Sequence, residues 1–153
     1  MTVTTTNQHA ADAIREHHAE LAATLREQVT ALMVAAQAQQ PYADAHQAVV
    51  QFLDTELLPH AHAEEQALYP AGDTGPTAML VRSMRDEHVN LVAHVESLRT
   101  EADAVAAACA ASAILALFES HLHKENDLLI PALVADPSVS LTDLLGGMHE
   151  LLG

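Results

Sequence analysis

The chain is expected to be all-α: an up-down-up-down four-helix bundle with a short C-terminal helix. Three observations carry that expectation. Half of the 153 residues are apolar and many of these are Ala, whereas only 3% are aromatic, so the residue types that build sheets are scarce. Pro and Gly fall where they cut the chain into four long uninterrupted stretches. Within those stretches apolar residues recur at 4-3-4-3 spacing, the seam of helices packed as a left-handed bundle.

The first helix is expected over about 7–39, ahead of Pro41. The second spans about 43–69, and the loop at 70–76, with two Pro and two Gly, separates the halves. A third helix covers about 77–101, a turn lies near 101–106, and a fourth helix covers about 107–134, closed by Pro131 and Pro137. A C-terminal helix from about 141, with Ser140 as N-cap and Asp143 three residues on, is expected to break at Gly146-Gly147 and to pack across one end of the bundle. Residues 1–153 are read as one domain with its core over about 10–134, a size that buries a real core and does not divide comfortably.

Charge and cysteine content narrow the chemistry. Six Lys and Arg against 21 Asp and Glu give a net charge of -15, with no basic cluster to neutralise phosphates or anionic lipid. Nucleic acid and membrane are therefore not expected partners. The N-terminal residues lack a charged region followed by an apolar run, and no 18 consecutive residues are strongly apolar, so a cytoplasmic location is expected. The single Cys109 forbids an internal disulfide or a multi-thiolate site and is read as a small packing residue. Any metal must be held by nitrogen and oxygen.

The two halves of the chain repeat. Ile14, His18, Leu21, Leu25 and Gln28 of the first helix become Met84, His88, Leu91, Val95 and Leu98 of the third on adding 70. Val50, Leu53, Leu57, His60, Glu64 and Ala67 of the second become Ala111, Ile114, Phe118, His121, Glu125 and Leu128 of the fourth on adding 61. The strings HAHAEEQALYP and HLHKENDLLIP share H-x-H-x-E-x-x-x-L-x-P. A duplicated helical hairpin is the reading, with equivalent positions facing one another.

Six members of that buried stripe are ionisable: His18, His60, Glu64, His88, His121 and Glu125. His60 and Glu64 lie about 40° apart round a helix and about 6 Å along it, as do His121 and Glu125, so each pair points to a common place. An unpaired buried carboxylate costs several kcal/mol, and two near one another also repel, so cations between them are the expected compensation. Two carboxylates among four imidazoles suit bridging of two ions, with about four protein donors each and an open position.

The other histidines are read differently. His62 and His123 point about 160° from the metal-facing pairs, and His17 and His94 about 100° and 120° off the stripe, toward solvent. His46 falls on the stripe about 21 Å from His60 and belongs to the end of the bundle. His9 and His149 are terminal. Tyr69 is assigned to packing or the rim of the site, and Pro59, just before His60, is expected to kink the second helix.

The spaced pattern H…H-x-x-x-E…H…H-x-x-x-E, with LYP and LIP after the paired ligands, resembles the hemerythrin-like HHE cation-binding family over about 10–134. The resemblance implies a non-haem centre of two iron ions, oxo- or hydroxo-bridged, with His18 and His60 on one, His88 and His121 on the other, and Glu64 and Glu125 bridging. Ferritin-like sites use Glu-x-x-His at spacing three instead. One departure matters: oxygen-carrying hemerythrins have a fifth His where this chain has Val92, and the equivalent place in the first helix is Ala22. The resemblance then implies two ions in similar, open environments, which fit iron-nitrosyl formation, peroxide turnover or iron sensing better than reversible dioxygen carriage; the function expected is binding or turning over a small oxidant such as dioxygen, nitric oxide or peroxide. An iron store or sensor, or a site for zinc or another divalent metal, stays open at this level.

Overall fold

The computed structural model describes residues 3–152, with side chains from residue 6 onward, and within them the fold is all-helical. Helix α1 spans Val3–Gln37, α2 spans 43–72, α3 spans Ala78–Thr100, α4 spans Ala104–Ala135 and α5 spans Leu141–Leu152. A short 3-10 turn, Gly75–Thr77, leads into α3.

Local chemistry explains the ends. Gln39 adopts φ 53°, and the Gln40 and Gln39 N–H groups donate to the Ala35 and Ala36 carbonyls, which closes α1 before Pro41. The link between α3 and α4 is tighter than the expected 101–106. Asp103 caps α4 by accepting from Ala106 N–H at 2.8 Å, so the Ala-rich stretch after it is helical from Ala104. Ser140 Oγ accepts from Asp143 N–H, as expected for the start of α5. The side chain of Asn7, buried on α1, accepts from Leu141 N–H and donates to the Val139 carbonyl, tying α5 to the first helix.

Three wide π turns interrupt α2 and α4, at Leu53–Leu57, Glu64–Leu68 and Glu125–Leu129. Each ends two residues before a proline: Pro59, Pro70 and Pro131. Proline lacks an N–H, and its ring meets the carbonyl four residues back, so widening the turn relieves the conflict without ending the helix. Pro70 and Pro131 therefore lie inside helices, contrary to the expected loop at Pro70 and closure at Pro131. The corresponding segment of α4 before Ser120 has no proline and stays α-helical.

These turns also correct the expected stripe. The extra residue rotates the helix beyond it, so Leu128 is 53% exposed and Ala67 only half-buried, while Leu68, Tyr69, Leu129 and Ile130 are fully buried. Gln28 and Val50 are half-buried, with Val29 and Val49 taking the fully buried places beside them.

Two apolar clusters sandwich a polar layer. One holds Leu21, Leu25, Val29 and Leu32 of α1 with Leu53 and Leu57, Leu91 to Leu98, and Ala107 to Leu122. The other holds Ala10, Ala11 and Ile14 with Ala63, Leu68 and Tyr69, Val81 and Met84, and Leu129 to Leu133. Each successive bundle helix passes through the two clusters in the opposite order, the pattern an up-down-up-down connection produces. Helix α4 packs chiefly on α1 and α3. Contrary to the expectation that no stretch is so apolar, α4 is by length and composition alone long and apolar enough to cross a membrane, although it carries His121 and Glu125, both buried.

Helix α5 lies against α1 and α2 with Leu141 and Met148 buried. It runs through Gly146-Gly147 without the expected break; Gly147 faces the Ala67 side chain of α2. Cys109 is exposed rather than packed.

Candidate metal centre

The layer between the clusters contains all six residues that the repeat singles out, and none is more than 6% exposed. His18 comes from the middle of α1 and His88 from the middle of α3, while α2 and α4 each supply a His and a Glu one turn apart. Both glutamates open a π turn at equivalent positions of the repeat. The proline beyond each turn thus shapes the backbone on which the carboxylate sits.

All four imidazoles turn Nε2 toward the carboxylates. His60 Nε2 is 2.8 Å and His18 Nε2 3.2 Å from Oε1 of Glu64, whereas His88 Nε2 is 3.7 Å from Oε2 of the same residue. Glu125 spans the layer likewise, with Oε1 3.2 Å from His121 Nε2 and Oε2 3.7 Å from His18 Nε2. Each carboxylate therefore presents one oxygen to the His18 side and the other to the His88 and His121 side. His88 Nε2 and His121 Nε2 are 3.0 Å apart. Two sets of donors lie close enough to share an ion: His18, His60 and Glu64, and Glu64, His88 and His121.

The donors also show what is missing from the protein's own hydrogen bonding. Among the described residues, both His60 ring nitrogens and Glu125 Oε2 are buried without a hydrogen-bond partner; the short approach of His60 to Glu64 is out of hydrogen-bonding alignment. Orphaned buried polar atoms are costly, and nitrogen and oxygen donors converging from four helices fit a divalent or trivalent cation.

The electrostatics of the metal-free chain compensate in another way. Burial alone would raise the Glu64 carboxyl, but the His60 and His18 imidazoles outweigh it and hold Glu64 well below its ordinary value. Burial would lower His18 and His121; the hydrogen bonds and charges of Glu64 and Glu125 on the first, and of Glu125 and Glu64 on the second, raise both instead.

A ring of outer partners, not expected from the sequence, fixes the imidazoles through Nδ1. Asn126 Oδ1 lies 2.8 Å from His18, Glu65 Oε1 2.8 Å from His88, and Glu87 Oε2 2.8 Å from His121. Lys124 pairs with the second oxygen of Glu87. The repeat contains the signal that could have found some of them, since Glu65 and Asn126 occupy equivalent positions directly after the two site glutamates.

Tyr69 is the principal correction. It is fully buried, not at the rim; its ring stacks on His88 and its hydroxyl donates to Glu125 Oε1 at 2.5 Å. The same hydroxyl is 3.1 Å from His121 Nε2 and 3.4 Å from His88 Nε2. Burial beside Glu64 and Glu125 raises its pKa far above the ordinary phenol range.

The remaining histidines stay out of the layer. His62, His94 and His123 are exposed, and the Nε2 of His46 meets the Leu98 carbonyl at the far end of the bundle. His9 and His149 are exposed. His17 is exposed too, yet its ring lies 5.0 Å from that of His60. Val92 is partly solvent-facing, so no side chain takes the place of a fifth imidazole from that position.

A void of about 10 Å3, the space open to the centre of a water-sized sphere, adjoins His60, Glu64, His88 and His121; its walls include Leu57, Leu91, Leu117 and Phe118. It has room for about one water.

In comparison with known families, the Hemerythrin HHE cation binding domain matches the chain over residues 9–133. No curated protein and no solved structure matches the chain.

Proposed function

We propose, for a chain that belongs to the Hemerythrin HHE cation-binding domain family, that it is a non-haem di-iron protein acting on a small oxidant or diatomic ligand. In this reading His18 and His60 hold one ion, His88 and His121 the other, and Glu64 and Glu125 bridge the two. The observation that supports it most is the posture of the glutamates, each with one oxygen toward either side of the layer.

Iron bound there would supply redox chemistry and a Lewis-acidic open position. The protein's own contribution is to orient and to exclude. Asn126, Glu65 and Glu87 fix the ring orientation of His18, His88 and His121, and a buried carboxylate pair favours cations over neutral occupants. Tyr69 holds its proton against Glu125 and can donate a hydrogen bond within the layer. The apolar walls and the small size of the adjoining void favour a small ligand, such as nitric oxide, dioxygen or peroxide, over any larger substrate.

The test is an iron count together with an optical spectrum on freshly prepared protein, before and after azide or nitric oxide. Stoichiometric iron with a near-ultraviolet charge-transfer band that these ligands perturb is expected. Iron that no such ligand perturbs would instead make the chain a store or sensor.

A further inference from the structure

The duplicated layer is symmetric in its six inner donors and asymmetric just outside them. Adding 61 turns Glu65 into Asn126, and subtracting 70 turns Glu87 into His17. These are the four residues placed by the repeat behind the four imidazoles. Both carboxylates stand behind the same pair: Glu65 on His88 and Glu87 on His121, each at 2.8 Å from Nδ1. The opposite pair has a neutral amide, Asn126, on His18 and, among the described residues, no hydrogen-bond partner on His60, whose Nδ1 is buried while the His17 ring lies alongside.

From this we infer that the two ion positions are unequal, and that Glu65 and Glu87 are the positioning residues that make the His88–His121 position bind its cation more tightly and fill first. The inference rests on the two-ion reading above. Glu64 and Glu125 are each shared between both sides, so neither acid belongs to one position alone, and the Tyr69 hydroxyl draws on the Glu125 oxygen nearest His121, against the direction of the difference inferred. A carboxylate accepting Nδ1–H fixes the tautomer that leaves Nε2 free for metal and raises the basicity of that nitrogen; an amide does the first and less of the second; an absent partner does neither. Outer partners of this kind change metal affinity by about 10- to 100-fold. Among the described residues Glu65 pairs with no Lys or Arg, whereas Lys124 pairs with Glu87 and offsets its charge, so Glu65 carries the larger share.

The experiment is anaerobic titration of the metal-free full-length protein with Fe(II), read by calorimetry and by metal analysis of the dialysed protein at increasing chelator. Wild type is expected to bind in two resolved steps at least about tenfold apart. Glu65→Gln, and to a smaller degree Glu87→Gln, should weaken the first step and narrow the gap. His17→Glu, which places behind His60 the residue that the repeat has behind His121, should also narrow it, by tightening the second step. A general loss of packing would weaken both steps and could not tighten either, and circular dichroism checks that each variant is folded. Two equal steps in wild type, or a weakened second step in Glu65→Gln, would overturn the inference and leave the two-ion reading standing. Protein that retains no iron would overturn both.

Discussion

The Tyr69 hydroxyl donates a 2.5 Å hydrogen bond to Glu125 Oε1, and so joins the end of one half-repeat to the acid of the other. Its equivalent in the repeat is Ile130, which has no polar group to offer. In the metal-free protein this bond satisfies one oxygen of a carboxylate whose other oxygen, Oε2, has no hydrogen-bond partner.

Tyr69→Phe is therefore expected to destabilise the metal-free protein by about 1–3 kcal/mol, the cost of leaving a buried acceptor unsatisfied. For a chain of this size each kcal/mol corresponds to roughly 2–4 °C in melting temperature. Metal-loaded protein should lose less, since a cation then satisfies Glu125. Thermal melts of both forms check this; an equal loss in the two would assign Tyr69 to packing alone.

The six inner donors are legible in the sequence because the repeat states them twice and because an ionisable residue on an apolar stripe is anomalous wherever the helix lies. Tyr69 is not, because its direction depends on a π turn. In regular helix, the stripe passes through Ala67 and Leu128; the wide turns at Glu64–Leu68 and Glu125–Leu129 move it to Leu68 with Tyr69 and to Leu129 with Ile130. The prolines that cause those turns are visible, but in a sequence they read as helix terminators. Glu65, Glu87 and Asn126 escape for another reason: the repeat marks the places of Glu65 and Asn126, but each of the three neighbours a site residue in sequence and meets an imidazole from a different helix, and which imidazole it meets is set by packing. Exposed Cys109 shows the same limit on an Ala-rich helix, where periodicity is weak.

The metal-free and metal-loaded forms should respond to pH in opposite directions. His18 and His121 are raised above 6.5 in the fold, so what they contribute to stability is complete below that value and is lost as pH rises through their folded values. Glu64 is held below 4.5, so its contribution is present above that value and is lost as pH falls through the lower folded one. Metal-free protein should thus melt highest between about pH 4.5 and 6.5 and soften toward pH 8. The loaded protein needs neutral imidazoles, so it should strengthen over the same rise and release metal below about pH 6. Melting curves of both forms from pH 5 to 8 check this; parallel slopes would contradict it.

Glu64→Ala and Glu125→Ala should each lose metal, and to comparable extents, because the two acids occupy equivalent bridging postures. His62→Ala and His123→Ala should retain it, since both rings face solvent. Metal analysis of the four purified variants is sufficient. Loss in the His pair with retention in the Glu pair would reverse the assigned faces.

Asp103→Ala tests the fold apart from the site. Removing the cap of α4 should cost about 0.5–2 kcal/mol, read from denaturant unfolding, with the metal content unchanged.

Everything functional depends on two cations lying among Glu64, Glu125 and the four imidazoles. The most direct measurement is the number of iron ions retained per chain after anaerobic loading and gel filtration, compared with the Glu64→Ala, Glu125→Ala double variant. About two ions in wild type and essentially none in the variant are expected. Wild type that keeps no iron, or a double variant that keeps as much as wild type, would contradict the account.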